Sequence, residues 1–210
     1  MPNNTEVKKT RTKPLYRLAR WIANLLQFLI YPIKYHGLEK IENLQRPFLL
    51  IANHRSWYDP LSIAVPFRHF PIHYLGKKEL ASKNKFFAKL FDGLYMIPVA
   101  RKEADIGAIK RALKVLKQGE VLGIFPEGTR HRGGDMQNPE GGISLLAFMS
   151  KVPVIPAYID KAFRPFRRVN IYFMDPLPYE DLMLPGAGGN ANEIFMERLK
   201  KRYRDIVKMH

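Results

Sequence analysis

Cysteine is absent from the 210 residues, which excludes a disulfide framework, a thiolate nucleophile and any cysteine-based metal site. Long apolar runs are absent too. The uncharged stretch 21–33 is interrupted by Asn24, Gln27 and Pro32, whereas a bilayer-spanning helix needs about 20 predominantly apolar residues. It runs into Pro32 and Lys34 with no small-residue cleavage pattern, so an intracellular chain is expected. There is no G-x-S-x-G elbow of a hydrolase and no H-E-x-x-H zinc motif, and His69 with His73 has no evident third ligand, so no metal is expected. Acidic side chains are few: 19 Asp+Glu against 35 Lys+Arg, a net charge of +16. The excess favours an anionic partner, namely nucleic acid, a phospholipid surface or a phosphorylated small molecule. No nucleic-acid-binding fold signature or base-stacking platform accompanies it, so nucleic acid is not the expected partner.

No internal repeat and no second domain boundary is evident, and the length suits one domain able to bury a sizeable core. Residues 1–13 are polar and basic and read as a flexible tail. In 14–32, Leu15, Leu18, Ile22, Leu25, Leu26 and Leu29 recur at helical spacing, which predicts an amphipathic helix. Its basic leader and its Trp21, Phe28 and Tyr31 suit a helix lying in a membrane interface. A leucine face packed on the domain core is an equally open reading. Residues 33–210 then alternate strands (33–36, 47–51, 72–75, 94–99, 121–125, 152–159, 169–173) with helices (59–65, 84–92, 104–118, 143–149, 193–207), and 175–192 is mostly connection. This alternation predicts a single-domain α/β fold, a central mostly parallel or mixed sheet flanked by helices. Pro98 points to an edge strand or to a strand end in 94–99. In 104–118 the apolar stripe is Ile106, Ile109, Leu113 and Leu116.

The stretch 52–60 follows the apolar run 48–51 and places His54 five positions before Asp59. Asp59-Pro60 reads as a helix N-cap and first helical residue. A turn here would let Asp59 accept from the Nδ1–H of His54 and leave Nε2 to take a proton from a hydroxyl. A simple cap beside a loop histidine fits the same residues. Residues 125–130, Phe-Pro-Glu-Gly-Thr-Arg, follow a buried strand, where open α/β sheets place ligand sites. Gly128 permits a tight turn or a close approach, and Arg130 offers a planar fork for a phosphate. Arg101 and Lys77, at two other predicted strand ends, are further phosphate candidates.

These blocks resemble the glycerophospholipid acyltransferase family, of the lysophosphatidic acid acyltransferase type. Asn53-His54 through Asp59, the run 93–101 ending in Arg101, Phe125 through Arg130, and Val152-Pro153-Val154-Ile155-Pro156 occur in the family's order. The resemblance implies that His54 is the general base and Asp59 its orienter. It further implies that Lys77, Arg101, Glu127, Gly128, Thr129 and Arg130 bind or shape the site for the acceptor phosphate. The implied reaction moves a fatty acyl group from an acyl thioester, on CoA or acyl-carrier protein, to the free sn-2 hydroxyl of 1-acyl-glycerol-3-phosphate. No metal, other cofactor or covalent acyl-enzyme is implied. The implied setting is an anionic membrane surface on the cytoplasmic face, with the chain peripheral or monotopic. Apolar residues of the N-terminal helix and of 152–159 are candidates to line an acyl groove. Ala100 stands where many relatives carry an acidic residue, and 139–141 lacks a basic residue found in many; both bear on the acceptor headgroup. The alternatives are a family member acting on another lysophospholipid or glycerol-phosphate acceptor, or a non-catalytic basic membrane-binding module. The module accounts for the charge but not for the ordered blocks.

Overall fold

The computed structural model describes residues 12–42, 44–100, 105–126, 142–179 and 191–209. In chain order the elements are α1 (Pro14–Leu29), β1 (Ile33–His36), α2 (Glu39–Glu42), β2 (Leu49–Ala52), α3 (Asp59–Ala64), β3 (Ile72–Lys77), α4 (Lys78–Ala81) and α5 (Lys85–Gly93). They continue as β4 (Met96–Val99), α6 (Ile106–Lys117), β5 (Val121–Ile124), α7 (Gly142–Ser150), β6 (Val154–Ile159), β7 (Val169–Phe173) and α8 (Ala191–Met209). The strands form one sheet in the order β1-β7-β6-β2-β5-β3-β4. Strands β2 to β6 run parallel, β7 pairs antiparallel with β6, and β1 lies parallel to β7. The sheet is therefore mixed, and Pro98 lies on its outermost strand, as expected.

The period-two alternation of the strands sorts their side chains into two cores. In β2, Leu49 and Ile51 face the layer holding Ala112, Leu113 and Leu116 of α6, Leu146 and Ala147 of α7, and Phe195, Leu199 and Tyr203 of α8. Leu50 and Ala52 face the opposite layer, with Tyr16 of α1 and Ile63 and Ala64 of α3. The helices start and stop on local chemistry. Asn84 Oδ1 accepts from the amides of Phe86 and Phe87, both at 3.0 Å, at the start of α5. Asp105 Oδ1 accepts from Ala108 N at 2.8 Å at the start of α6, and Gly119, with φ +77°, follows its end. A left-handed residue there is natural for glycine.

The topology has one consequence for function. Neighbouring β2 and β5 send their following helices, α3 and α7, to opposite faces of the sheet. The carboxyl ends of β2 and β5 therefore flank a crevice at a topological switch point, where open α/β sheets hold ligands.

Several expectations change in detail. The short helices α2 and α4 carry no strong periodic signal and were not anticipated. In α6, Leu113 and Leu116 of the expected stripe are buried and Ile109 packs against the same core, with Ala108, Ala112 and Val115 completing the inward face; only Ile106 of the stripe is exposed. In α1 the buried residues are Tyr16 and Ala23, whereas Leu15, Leu18, Ile22, Leu25 and Leu29 are exposed. Leu26 is half-buried and Leu15 lies against Gly93 of α5, so only the margin of the leucine face meets the domain. The polar tips of aromatic residues also dock the helix: Tyr16 Oη accepts from Ile72 N at 3.1 Å, and Tyr58 Oη donates to Ala23 O at 2.6 Å. Of the tail expected over 1–13, residues 1–11 lie outside the described residues; Lys13 N donates to Tyr95 Oη and Lys13 Nζ to Asp92. In 175–192, the helical turn expected near 179–182 lies, beyond Tyr179, outside the described residues.

His73 of β3 lies edge-on to Tyr95, with ring centroids 5.0 Å apart. Burial, aided by the charge of Lys13, pushes its pKa down to about 4. Between about pH 6.5 and pH 4 the unfolded chain takes up this proton and the folded chain does not, so stability falls as pH drops through that window. His73→Gln flattens the decline by on the order of 1–2 kcal/mol, allowing for screening of a half-buried ring. Urea unfolding of both proteins at pH 7, 5.5 and 4.5 measures the difference, and parallel decline in the two refutes it.

Candidate active site

The chain leaves β2 through Asn53, whose buried side chain acts as a surrogate peptide group. Nδ2 donates to Ile159 O at 2.9 Å and Oδ1 accepts from Ile159 N at 2.7 Å. The β2–β6 ladder is thereby extended past Ala52, and the direction in which residue 54 departs is fixed. His54 follows, and its Nδ1 lies 2.7 Å from Asp59 Oδ2. The same oxygen accepts from Arg55 N at 2.6 Å and Ser56 N at 2.7 Å. The Asp59 side chain is wholly buried and that of His54 is 16% exposed.

This geometry corrects one sequence expectation. Asp59 is the first residue of α3, with Tyr58 at the cap position and no side-chain cap bond. Its carboxylate turns back onto residues 54–56 instead of forward onto the helix amides, and Oδ1 makes no hydrogen bond among the described residues. One oxygen serves both the histidine and the turn. A carboxylate accepts but does not donate, so Nδ1 carries the proton and Nε2 presents its lone pair. Among the described residues Nε2 has no hydrogen-bond partner.

The face of the imidazole is held from across the crevice. Phe125, which directly follows β5, stacks on His54 with centroids 4.4 Å apart and planes at 26°. Tyr74 of β3 stacks on Phe125 at 5.6 Å and 17°. Gly123 makes room for this stack, because a methyl group there would overlap the Tyr74 ring. Asn53, Phe125, Tyr74 and Gly123 thus belong to the site's framework. The motif blocks contain Asn53 and Phe125 without indicating what they do.

Lys77, at the carboxyl end of β3, is exposed on the same edge of the sheet as His54. Next to it, Lys78, Ala81, Ser82, Pro98, Asp105 and Arg111 line a depression of about 420 Å³. The Asp105 carboxyl is held below the usual carboxylate range by the amides of Ala100 and Ala108, with Arg111 adding to the effect. Its Oδ2 accepts from Ala100 N at 3.0 Å, which anchors the residue preceding Arg101. Arg101, Glu127, Gly128, Thr129 and Arg130 lie outside the described residues. β6 is buried along its whole length, its side chains divided between the two cores. Among the described residues, no group of three or more His, Asp or Glu side chains is arranged to hold a metal ion, and no helix is long and apolar enough to cross a membrane.

An oriented histidine at the switch point of an α/β sheet is an arrangement that can take a proton from a bound hydroxyl. The Acyltransferase family model matches residues 32–160, more than half of the chain, and the chain belongs to that family. It is 36% identical over 110 residues to a 1-acyl-sn-glycerol-3-phosphate acyltransferase of Bacillus subtilis, covering 52% of this chain and 54% of that protein. It is 29% identical over 172 residues to a protein of the same name from Streptococcus pneumoniae, covering 77% and 63%. The chain thus spans between about half and two thirds of the length of these curated relatives. Among solved structures, the 1-acyl-sn-glycerophosphate (LPA) acyltransferase PlsC of Thermotoga maritima matches with a TM-score of 0.61 at 20% identity, over 91% of this chain and 78% of that one. This match bears on the fold.

Gly123→Ala pushes Tyr74 and, through it, Phe125 off their present positions. Overpacking of this kind lowers stability by about 1–3 kcal/mol. Chemical denaturation measures the loss; a variant as stable as the parent would show that the stack has slack at this position.

Proposed function

We propose that the protein transfers a fatty acyl group from an acyl thioester to the sn-2 hydroxyl of 1-acyl-glycerol-3-phosphate, producing phosphatidic acid. The observation that carries this reading is the 2.7 Å contact between His54 Nδ1 and Asp59 Oδ2, in a chain of the Acyltransferase family. The relatives from Bacillus subtilis and Streptococcus pneumoniae, both named 1-acyl-sn-glycerol-3-phosphate acyltransferase, support the choice of acceptor.

A free alcohol is a weak nucleophile at neutral pH, and a positioned imidazole relieves this by taking its proton as attack begins. In the proposed step, His54 Nε2 accepts the hydroxyl proton while the acceptor oxygen attacks the thioester carbonyl. A tetrahedral intermediate collapses, the carbon–sulfur bond breaks, and the imidazolium returns its proton to the thiolate. Asp59 keeps Nδ1 as a donor and stabilises the transient imidazolium. Thioester cleavage drives the reaction, and no other cofactor enters the scheme. Arg101, Glu127, Gly128, Thr129 and Arg130 are proposed to surround the acceptor phosphate, with Lys77 alongside them. The thioester carrier is CoA or acyl-carrier protein.

The exposed apolar face of α1 supports peripheral association with the membrane that supplies the acceptor, and the cytoplasmic side is proposed with it. Trp21 is 62% and Phe28 83% exposed. An unpartnered apolar face of this kind marks an interaction surface, and an amphipathic helix with a basic leader suits a lipid interface.

Purified protein supplied with acyl-CoA or acyl-carrier-protein donors and a panel of lysophospholipid acceptors tests the reaction. His54→Ala lowers kcat by roughly 10²–10⁴-fold and leaves vesicle binding and the far-ultraviolet spectrum unchanged. Undiminished turnover removes His54 from the chemistry. A parent protein that binds vesicles but transfers no acyl group to any acceptor favours the non-catalytic module. Asp59→Asn lowers kcat by on the order of 10²-fold or more, chiefly through kcat and not KM, because it disturbs the base without touching the acceptor. An effect confined to KM contradicts the orienting role.

A further inference from the structure

The loop joining β6 to β7, residues 160–168, starts at the same edge of the sheet as the catalytic turn, since β6 runs parallel to β2. It carries Lys161, Arg164, Arg167 and Arg168 against the single acid Asp160. Asp160 is already engaged, 3.3 Å from Lys161 Nζ and accepting from both Asn170 N and Asn170 Nδ2. Arg164, Arg167 and Arg168 are exposed, and among the described residues no acidic group pairs with them. Between them stands Phe166, 78% exposed. Its φ of +60° is rare for a bulky side chain. That conformation is held by two hydrogen bonds around the tip, Phe166 N donating to Ile30 O at 2.7 Å and Arg167 N to Arg164 O at 3.1 Å.

The first of these bonds joins the loop tip to the end of α1, next to exposed Phe28 and Leu29. At its base, Phe163 packs edge-on against Tyr58 at 5.0 Å and Tyr31 at 5.9 Å. Tyr58 immediately precedes Asp59 and donates to Ala23 O of α1. The loop, the end of α1 and the catalytic turn are thus braced by one aromatic cluster.

We propose that the 160–168 loop is a second membrane-docking element. Phe166 enters the boundary between headgroups and acyl chains of an anionic bilayer, and Arg164, Arg167 and Arg168 pair with lipid phosphates. The proposal rests on the membrane reading of α1 and extends it. An acidic protein such as a carrier would satisfy the arginines, but it would leave the apolar face of α1 that continues from Phe166 uncovered. A bilayer covers both. The brace through Phe163 and Tyr58 then sets the depth at which His54 meets an acceptor still seated in the lipid.

The test is flotation of the full chain with phosphatidylcholine vesicles, with and without phosphatidylglycerol. Three variants are compared with the parent: Arg164→Ala/Arg167→Ala/Arg168→Ala, Phe166→Ala, and Trp21→Ser/Phe28→Ser in α1. Matching thermal melts confirm that each is folded, since all the altered side chains are exposed. The triple arginine variant loses on the order of 10²-fold in partitioning onto phosphatidylglycerol vesicles, at about fivefold per basic residue, and changes little on phosphatidylcholine alone. Phe166→Ala weakens binding about tenfold on both. Acyl transfer to an acceptor embedded in vesicles falls in parallel, while transfer to a detergent-dispersed acceptor is retained. Loop variants that float like the parent overturn the proposal. If the α1 variant nonetheless fails to float, the membrane reading of α1 survives without the loop; if it too floats like the parent, both fail. Loop variants that keep vesicle binding but lose turnover only with the carrier-protein donor assign the patch to that protein and likewise overturn the proposal.

Discussion

A single carboxylate oxygen organises this protein's candidate chemistry. Asp59 Oδ2 accepts three N–H groups, from His54 Nδ1, Arg55 N and Ser56 N, at 2.6–2.7 Å. The three donors converge because the chain must leave β2, reverse and enter α3 within a few residues. A neutral side chain at position 59 would accept them less strongly, since hydrogen bonds to a charged group contribute about 1.5–3 kcal/mol against about 1 for neutral pairs. Burial raises the stakes, because a wholly buried carboxylate short of donors would be strongly destabilising. The turn thus closes on the charge and the charge is tolerated because the turn supplies its amides. The histidine is oriented by the interaction that also holds the backbone.

The sheet order determines what this turn can act on. With α3 and α7 on opposite faces, the carboxyl ends of β2 and β5 lie at the topological switch point, and His54 and Phe125 meet there. Asp59 holds the imidazole by its edge and Phe125 by its face, so the ring has little rotational freedom while Nε2 stays presented. Tyr74 supports Phe125 from behind, and Gly123, a residue that ordinarily weakens a buried strand, makes that possible by giving up its side chain. Four strands or strand ends therefore contribute to the position of one ring: β2 through Asn53, β3 through Tyr74, β5 through Gly123 and Phe125, and β6 through Ile159.

Much of this was legible in the sequence, for physical reasons. Alternating strand and helix patterns give the α/β class because each pattern reports which faces are buried. The His54–Asp59 pair was legible because both residues lie in one short turn, where spacing limits geometry. The exchange of the cap role for a backward-facing carboxylate was not, since Asp-Pro at a helix start is compatible with either direction and only the tertiary position of β2 decides. The stack of Tyr74, Phe125 and His54 joins residues from three strands that are neighbours only through sheet order, and no local period encodes that. The face of α1 was ambiguous for a related reason. A leucine stripe signals a surface that avoids water but does not say whether protein or lipid will cover it.

The resolution of α1 follows from how it is attached. Its contacts to the domain include Tyr16, Ala23, Arg20, which donates to Phe67 O at 2.9 Å, Leu15 against Gly93, and the hydroxyls of Tyr58 and Tyr35, the last of which lies 3.0 Å from Gln27 Oε1 and 2.7 Å from Ser62 O. Directional hydrogen bonds from the ends of rigid rings fix the helix in rotation as well as position, which an apolar stripe packed on a core would do less sharply. Two of those rings, Tyr58 and Tyr35, also reach α3 directly, at the turn before it and at Ser62. Through these rings α1 is connected directly to the helix that begins at Asp59. Under the proposed function, a connection of this kind would keep the surface that meets lipid and the nitrogen that takes the proton at a constant separation.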